Sequence, residues 1–309
     1  MKTKYTYKQI WTIAYPILIS LIMEQMIGMT DTAFLGRVGE IELGASAIAG
    51  VYYLAIFMMA FGFSIGAQIL IARRNGEGNY KEIGPIFYQG IYFLLAVAVI
   101  LFTLSIVFSP HILRNIISSP HIYDAAESYI HWRVYGFFFS FVMVMFRAFF
   151  VGTTQTKTLT LNSIVMVLSN VVFNYILIFG KFGFPELGVE GAAISTAFSR
   201  GVSMVILFII LFRKHIHRFP LAYFRPFPWI ELRNLMKVGL PSAGEQLSYS
   251  SSQVLITFFI NMLGVEALAT RTYCVNIIMF VYLFSISTAQ GGAICIGHLI
   301  GEKKPRAAF

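Results

Sequence analysis

Stretches with no Asp, Glu, Lys or Arg, each long enough to cross a hydrocarbon core, recur along the whole chain: Leu43 to Ala72, Ile83 to Leu113, Thr158 to Gly180 and Thr272 to Gly301. A helix needs about 20 residues to make that crossing. Four further stretches cross with polar interruptions, namely Ile10 to Val38, Ala125 to Val151, Gly188 to Phe212 and Trp229 to Leu263, giving eight candidate spans. Only 12% of the residues are charged and 57% are hydrophobic, whereas about a quarter are charged in a soluble domain. The expected fold class is therefore all-α, a polytopic helical bundle in a membrane.

The net charge of +9 does not point to nucleic acid, because the basic residues sit in alternate short connections and not on one face. Lys2, Lys4, Lys8, Arg73, Arg74, Lys81, Lys157, Arg213, Lys214, Arg218, Arg225, Lys303, Lys304 and Arg306 fall on one side of the eight-span arrangement. The other side keeps Arg37, Arg114, Lys181 and Arg271. Positive loops face the cytoplasm, which places the N-terminus there. The basic start followed by a long apolar run is read as an uncleaved first span. Cys274 and Cys295 are 21 positions apart in one span, roughly 30 Å along a helix, too far for a disulfide.

A shift of 225 residues superposes the first two spans on the last two without a gap. Pro16 meets Pro241, Thr32 meets Thr257, Phe34 meets Phe259, Gly39 meets Gly264, Gly66 meets Gly291, Gly76 meets Gly301 and Glu77 meets Glu302. Hydrophobicity alone does not enforce matched Pro, Gly and Glu. The repeat unit is about six spans, and both copies start on the same side, as in transporters built from parallel halves. The expected organisation is a first six-helix lobe at 1–218, a cytoplasmic linker at 219–228 and the first two helices of a second lobe at 229–309. The chain is thus expected to be a C-terminally truncated copy of a longer protein. There is no Gly-rich Lys loop for nucleotide binding, nor a metalloprotease helix or nucleophile elbow. An enzyme is not expected.

Asp31 stands in the first span, with Glu24 seven residues earlier on the same helical face. A charge inside a bilayer costs about 2.5 to 3.5 kcal/mol on insertion scales, so such residues mark ion paths or face a protein interior. Asn170 and Asn174 are four apart in the fifth span and share a face, and Ser195 and Thr196 follow in the sixth. Carboxylate, amide and hydroxyl oxygens suit a sodium ion or a proton; equally, Asn and Thr serve as hydrogen bonds between helices. Glu24 either adds negative charge near Asp31 or pairs with a basic residue. Arg133 and Arg200 are expected to pair with lipid phosphates or interhelical acids, as long basic side chains snorkel.

The run Gly28-Met29-Thr30-Asp31-Thr32-Ala33-Phe34-Leu35-Gly36-Arg37-Val38-Gly39 after Pro16 resembles the first helix of the multidrug and toxic compound extrusion (MATE) family. Arg147-Ala148-Phe149 leading to Gly152-Thr153-Thr154-Gln155-Thr156-Lys157 resembles that family's loop between helices four and five. Asn170-Val171-Val172-Phe173-Asn174-Tyr175-Ile176-Leu177-Ile178-Phe179-Gly180 and Gly188-Val189-Glu190-Gly191-Ala192-Ala193 are similar to its fifth and sixth helices. The resemblance covers the whole chain.

It implies two six-helix lobes around a central cavity, and export of organic, often cationic, drugs in exchange for sodium ions or protons. It also implies no cofactor, a bacterial cytoplasmic (inner) membrane location and a monomer at full length. Carried over, the cation site is Asp31, Asn170, Asn174 and Thr196, with no other metal expected. Glu24, Gln25 and Glu245 are possible cavity residues. In some branches the position of Asn174 is an aspartate, so this chain is expected to work without a second acid there. Some members also carry an acid where this chain has Tyr249. The alternatives are an exporter resembling lipid-linked oligosaccharide flippases, which wants a cationic cavity although the intramembrane charges of the first lobe read as mainly acidic, and a non-functional fragment.

Overall fold

The computed structural model describes residues 6–117, 119–215, 229–262 and 265–304. Among them the chain forms nine helices and no strand: α1 (Tyr7–Leu35), α2 (Glu40–Gly76), α3 (Tyr80–Ile116), α4 (Pro120–Arg133), α5 (Gly136–Gly152), α6 (Thr156–Ile178), α7 (Gly188–His215), α8 (Trp229–Met262) and α9 (Val265–Gly301). The linker expected at 219–228 lies outside the described residues.

Local chemistry sets several boundaries. Thr6 caps α1 in a reciprocal box with Gln9, satisfying amides that a helix start leaves open. Glu40 and Glu42 open α2 while Arg73 and Arg74 close it, each sign at the end the helix dipole favours. Glu77 follows at the C-cap and accepts from Arg73 at 3.1 Å and Arg74 at 2.7 Å, contacts that hold its carboxyl below the ordinary value. The chain then turns through Gly78 at φ 70° into α3, a left-handed conformation glycine adopts at no steric cost.

Among the described residues, six helices are long and apolar enough to cross a membrane, or seven spans counting α4 and α5 together as one. The span expected from Ala125 to Val151 is therefore broken, with a 50° bend between α4 and α5. The break falls at Val134 and Tyr135, just before Gly136, where a Cβ would stand 3.6 Å from Ala197 of α7 and from the Tyr53 hydroxyl of α2. The seventh expected span, α8, is long enough but is not among the apolar helices. It carries Glu231, Arg233, Lys237, Glu245 and a Ser-rich run at 248–252. In both places, apolar length alone misses the demands of packing and polar composition.

α5 is apolar nearly all round and lies at the centre, with Phe137, Phe141, Phe146, Phe149 and Phe150 fully buried. Lipid offers no hydrophobic drive between helices, so such a core holds by van der Waals packing. Rings interlock there: Phe87 meets Phe146 edge-on at 5.1 Å, and Phe146 meets Phe208 at 4.7 Å. Val99, Ile100, Phe108, Phe280 and Val281 point outward, as a bilayer-facing surface requires.

The two repeats meet along a seam of small residues. A Cβ on Gly66 of α2 would stand 2.6 Å from the Gly239 Cα of α8, and a Cβ on Gly291 of α9 would stand 3.1 Å from Ala14 of α1. These contacts are images of each other, since the 225-residue shift carries Gly66 to Gly291 and Ala14 to Gly239. Gly76 against His298 and Gly301 against Arg73 form a second such pair. A seam that maps onto itself in this way is an isologous contact across a two-fold axis. The first six spans thus form one lobe, and α8 and α9 repeat α1 and α2 against it.

Gly66→Ala places its methyl on backbone and should destabilise the protein by about 1 to 3 kcal/mol through overpacking. Gly50→Ala, with open space around it, should be neutral or stabilising by up to about 1 kcal/mol. Thermal unfolding of the two variants in the same detergent checks this, and equal melting would contradict the seam.

Candidate cation site

Three helices each bring one polar stripe to a common line. In α1 the buried residues Ile27, Asp31 and Leu35 recur every fourth position, one face of a helix. In α6 the buried stripe is Asn162, Met166, Asn170, Asn174 and Ile178. In α7, Thr196 and Arg200 stand one turn apart. Asp31 is 7% exposed, and Asn170, Asn174 and Thr196 are 0% exposed.

The four side chains form a closed network. Asn174 Nδ2 donates to Asp31 Oδ1 at 2.8 Å and to Asn170 Oδ1 at 3.2 Å. Asn170 Nδ2 donates to Asp31 Oδ1 at 3.3 Å and to Thr196 Oγ1 at 3.1 Å. Thr196 Oγ1 donates to Asp31 Oδ2 at 2.9 Å. The carboxylate is thus held by donors from α6 and α7 alone, each charge-assisted bond worth about 1.5 to 3 kcal/mol. One acceptor is left over: Asn174 Oδ1 is buried with no hydrogen-bond partner. The site thus gathers carboxylate, amide and hydroxyl oxygens, the ligand types that hard cations take.

Around this site the interior is more cationic than the sequence suggests. Arg133 is not at a lipid phosphate; its guanidinium lies 4.5 Å from the Tyr53 ring centroid and 5.8 Å from that of Tyr129. It is close enough to Asp31 to interact with the carboxylate electrostatically. Arg200 packs on Phe57 at 5.2 Å and donates to Ser140 Oγ at 3.1 Å. Neither pairs with a lipid-facing group, because Tyr53 and Ser140, themselves bonded at 2.6 Å, offer an internal shelf that spacing cannot reveal.

Arg147, 6% exposed, donates to Glu24 Oε1 at 3.4 Å and to Gln290 Oε1 of α9 at 3.2 Å. With three interior arginines against Asp31 and Glu24, the expectation of a mainly acidic first lobe is corrected.

Glu24 pairs with Arg147 and does not join Asp31, from which Ile27, packed on Met166 and Val167, separates it. Gln25 and Glu245 are exposed and take no part in the network. Sequence reasoning passed over Ser20, Asn162 and Ser163, although Asn162 lies on the stripe of Asn170 and Asn174. Ser20 and Ser163 hydroxyls meet at 2.7 Å, and Asn162 Nδ2 donates to Ser203 at 2.5 Å.

These features define a multi-pass helical membrane protein with a buried polar site inside a repeated lobe. The family model described as MatE matches residues 16–176 and 241–308, two segments that start 225 residues apart. The chain belongs to the MatE family. It is 30% identical over 305 residues to the uncharacterized transporter YisQ of Bacillus subtilis, covering 97% of this chain and 66% of that protein. It is 27% identical over 286 residues to the probable multidrug resistance protein NorM of Thermotoga maritima, covering 91% and 61%. The chain therefore spans less than two thirds of the length of these relatives. A solved structure of a multidrug resistance MATE family transporter in an outward-facing conformation superposes with a TM-score of 0.86 at 20% identity, covering 99% of this chain and 70% of that one.

Thr196→Val keeps the shape but removes the donor to Asp31 Oδ2, and should cost about 1 to 3 kcal/mol; Thr196→Ser should retain most of the stability. Denaturation of both variants tests this, and indistinguishable stability would show that the hydroxyl is idle.

Proposed function

We propose that the protein works as a secondary antiporter that exports organic, often cationic, compounds in exchange for sodium ions or protons. Asp31, Asn170, Asn174 and Thr196 form its coupling site. The observation that carries this reading is the buried Asp31 carboxylate beside the unpartnered Asn174 carbonyl oxygen. A burial this costly, within reach of an unused oxygen, is accounted for if a cation or proton occupies the pair during part of a cycle. The relatives named as multidrug resistance proteins support the cargo class.

Coupling needs a difference in affinity between two states, since an ion bound equally in both shifts nothing. Asp31 stands on α1, while all its donors stand on α6 and α7. A bend or slide of α1 would change the number of donors facing the carboxylate, and with it the affinity for the ion. Pro16 lies within α1 and has no N–H to give to the carbonyl of Thr12, which makes that region the natural place to yield. Gln25 and Glu245, exposed on α1 and α8, would face the cargo's path. The setting is the bacterial inner membrane with the N-terminus in the cytoplasm, the side that positive loops favour, and the working unit is a monomer. The interior arginines do not favour the flippase reading, because they stack on rings or pair with Glu24 within the lobe, and the cavity that Arg147 and Arg200 border, about 30 Å³, is far too small for a lipid-linked oligosaccharide.

Everted vesicles loaded by uptake of a fluorescent organic cation test the proposal. The wild type should drive transport that stops when the coupling gradient, sodium or proton, is collapsed alone. Asp31→Asn should lose at least about 90% of it while inserting normally, if the charge is the coupling element. Transport at the wild-type rate by that variant would remove the proposal.

A further inference from the structure

Beyond the apolar layer of Ile27, Met166 and Val167 lies a second polar layer that the coupling site does not use. It contains Ser20 of α1, Ser140 of α5, Asn162 and Ser163 of α6, and Arg200 of α7, around a cavity of about 30 Å³ that the Glu24–Arg147 pair also borders, so two arginines and one carboxylate line it. That is room for one small ion or about two waters.

Charge does not balance in this layer. Arg147 has Glu24 and Arg133 has Asp31 nearby, but Arg200 pairs with no carboxylate among the described residues. The rings of Phe57 and Tyr53, at 5.2 and 5.8 Å, contribute through their π faces. Arg200 is part-buried and gives one N–H to Ser140. Arg200 Nε is buried with no hydrogen-bond partner. A buried charge without a counter-ion is costly.

The neighbouring amide and hydroxyl groups can become donors. Asn162 Oδ1 is likewise buried and unpartnered, while Asn162 Nδ2 meets Ser203 Oγ. The two ends of an amide are assigned only from their bonding. Turned over, the amide accepts from the Ser203 hydroxyl and directs its N–H into the cavity. Ser20 and Ser163 share one hydrogen bond, so one of the two hydroxyls is left to donate elsewhere.

We propose that this layer binds a small monovalent anion of the halide type, held by Arg200 with Asn162 and the Ser20–Ser163 pair. A water would satisfy the N–H groups but leave the charge uncompensated. A halide does both and brings the interior to three arginines against three negative charges. The cavity excludes a bulky organic anion.

The test uses the purified protein in lipid nanodiscs, with unfolding temperature followed in sodium chloride, bromide and gluconate at fixed sodium and ionic strength. The wild type should be stabilised by chloride and bromide in a saturable way, and not by gluconate. Arg200→Gln should raise the half-saturating halide concentration at least about tenfold, the loss expected for a charge-assisted bond. Ser163→Ala, a milder change, should weaken halide binding without unfolding the protein if Arg200→Gln fails to fold. Coincident halide and gluconate curves, as waters alone would give, overturn the proposal. So does a halide effect that survives unchanged in the variants. Neither result bears on the coupling role of Asp31, because the sodium concentration stays constant.

Discussion

The rest of the lobe is arranged around the burial of one carboxylate. Asp31 can lie inside a membrane helix only because Asn170, Asn174 and Thr196 give it hydrogen bonds at 2.8 to 3.3 Å. Those donors in turn fix how α6 and α7 rotate about their axes, since each must present one stripe to α1. Once that rotation is set, Met166 and Val167 fall opposite Ile27. Asn162, Ser163 and Arg200 fall one or two turns further along, making a second polar layer. The sequence of layers, polar, apolar, polar, is a consequence of helical spacing acting on a single buried charge.

The seam between the repeats imposes a different constraint. Gly66 and Gly239, Gly291 and Ala14, and Gly76 and His298 bring backbones so close that a methyl group would collide with a facing main chain or side chain in several places. Small residues allow close approach without specific polar bonds, so such a contact can form and separate as a rigid unit. Arg147 adds one polar link across the seam, reaching Glu24 on its own lobe and Gln290 on α9, and His298 of α9 adds another, its Nε2 lying 3.0 Å from Asn75 Nδ2 and 3.2 Å from the Gly152 carbonyl oxygen. A contact with few polar bonds and self-matching symmetry would suit the movement of lobes that the proposed antiport requires.

Much of this was legible in the amino-acid sequence. The spacing of Asn170 and Asn174, the cost of Asp31 and the 225-residue repeat each follow from local periodicity. Glu24 was left open between two partners, and the structure pairs it with Arg147. The unreadable features depend on tertiary neighbours. Arg133 and Arg200 look like snorkelling residues until Tyr53 and Ser140, far away in the chain, are seen to form a shelf for them. The break at Val134 and Tyr135 is invisible to apolar length because both flanking helices belong to one stretch long and apolar enough to cross. Gln25 and Glu245, expected as possible cavity residues, are exposed and lie outside the Asp31 network.

The central claim is that the Asp31 carboxylate itself takes up the coupling ion, and infrared difference spectroscopy reads that group directly. Spectra of the protein in lipid, recorded on adding sodium and on lowering pH, should contain a carboxyl band that changes with one of the two ions. A shift of the carboxylate stretch indicates sodium; loss of that stretch with gain of a protonated carbonyl band indicates a proton. The change should be missing in Asp31→Asn. A spectrum in which no carboxyl band responds to either ion, or one whose response persists in Asp31→Asn, would contradict the account.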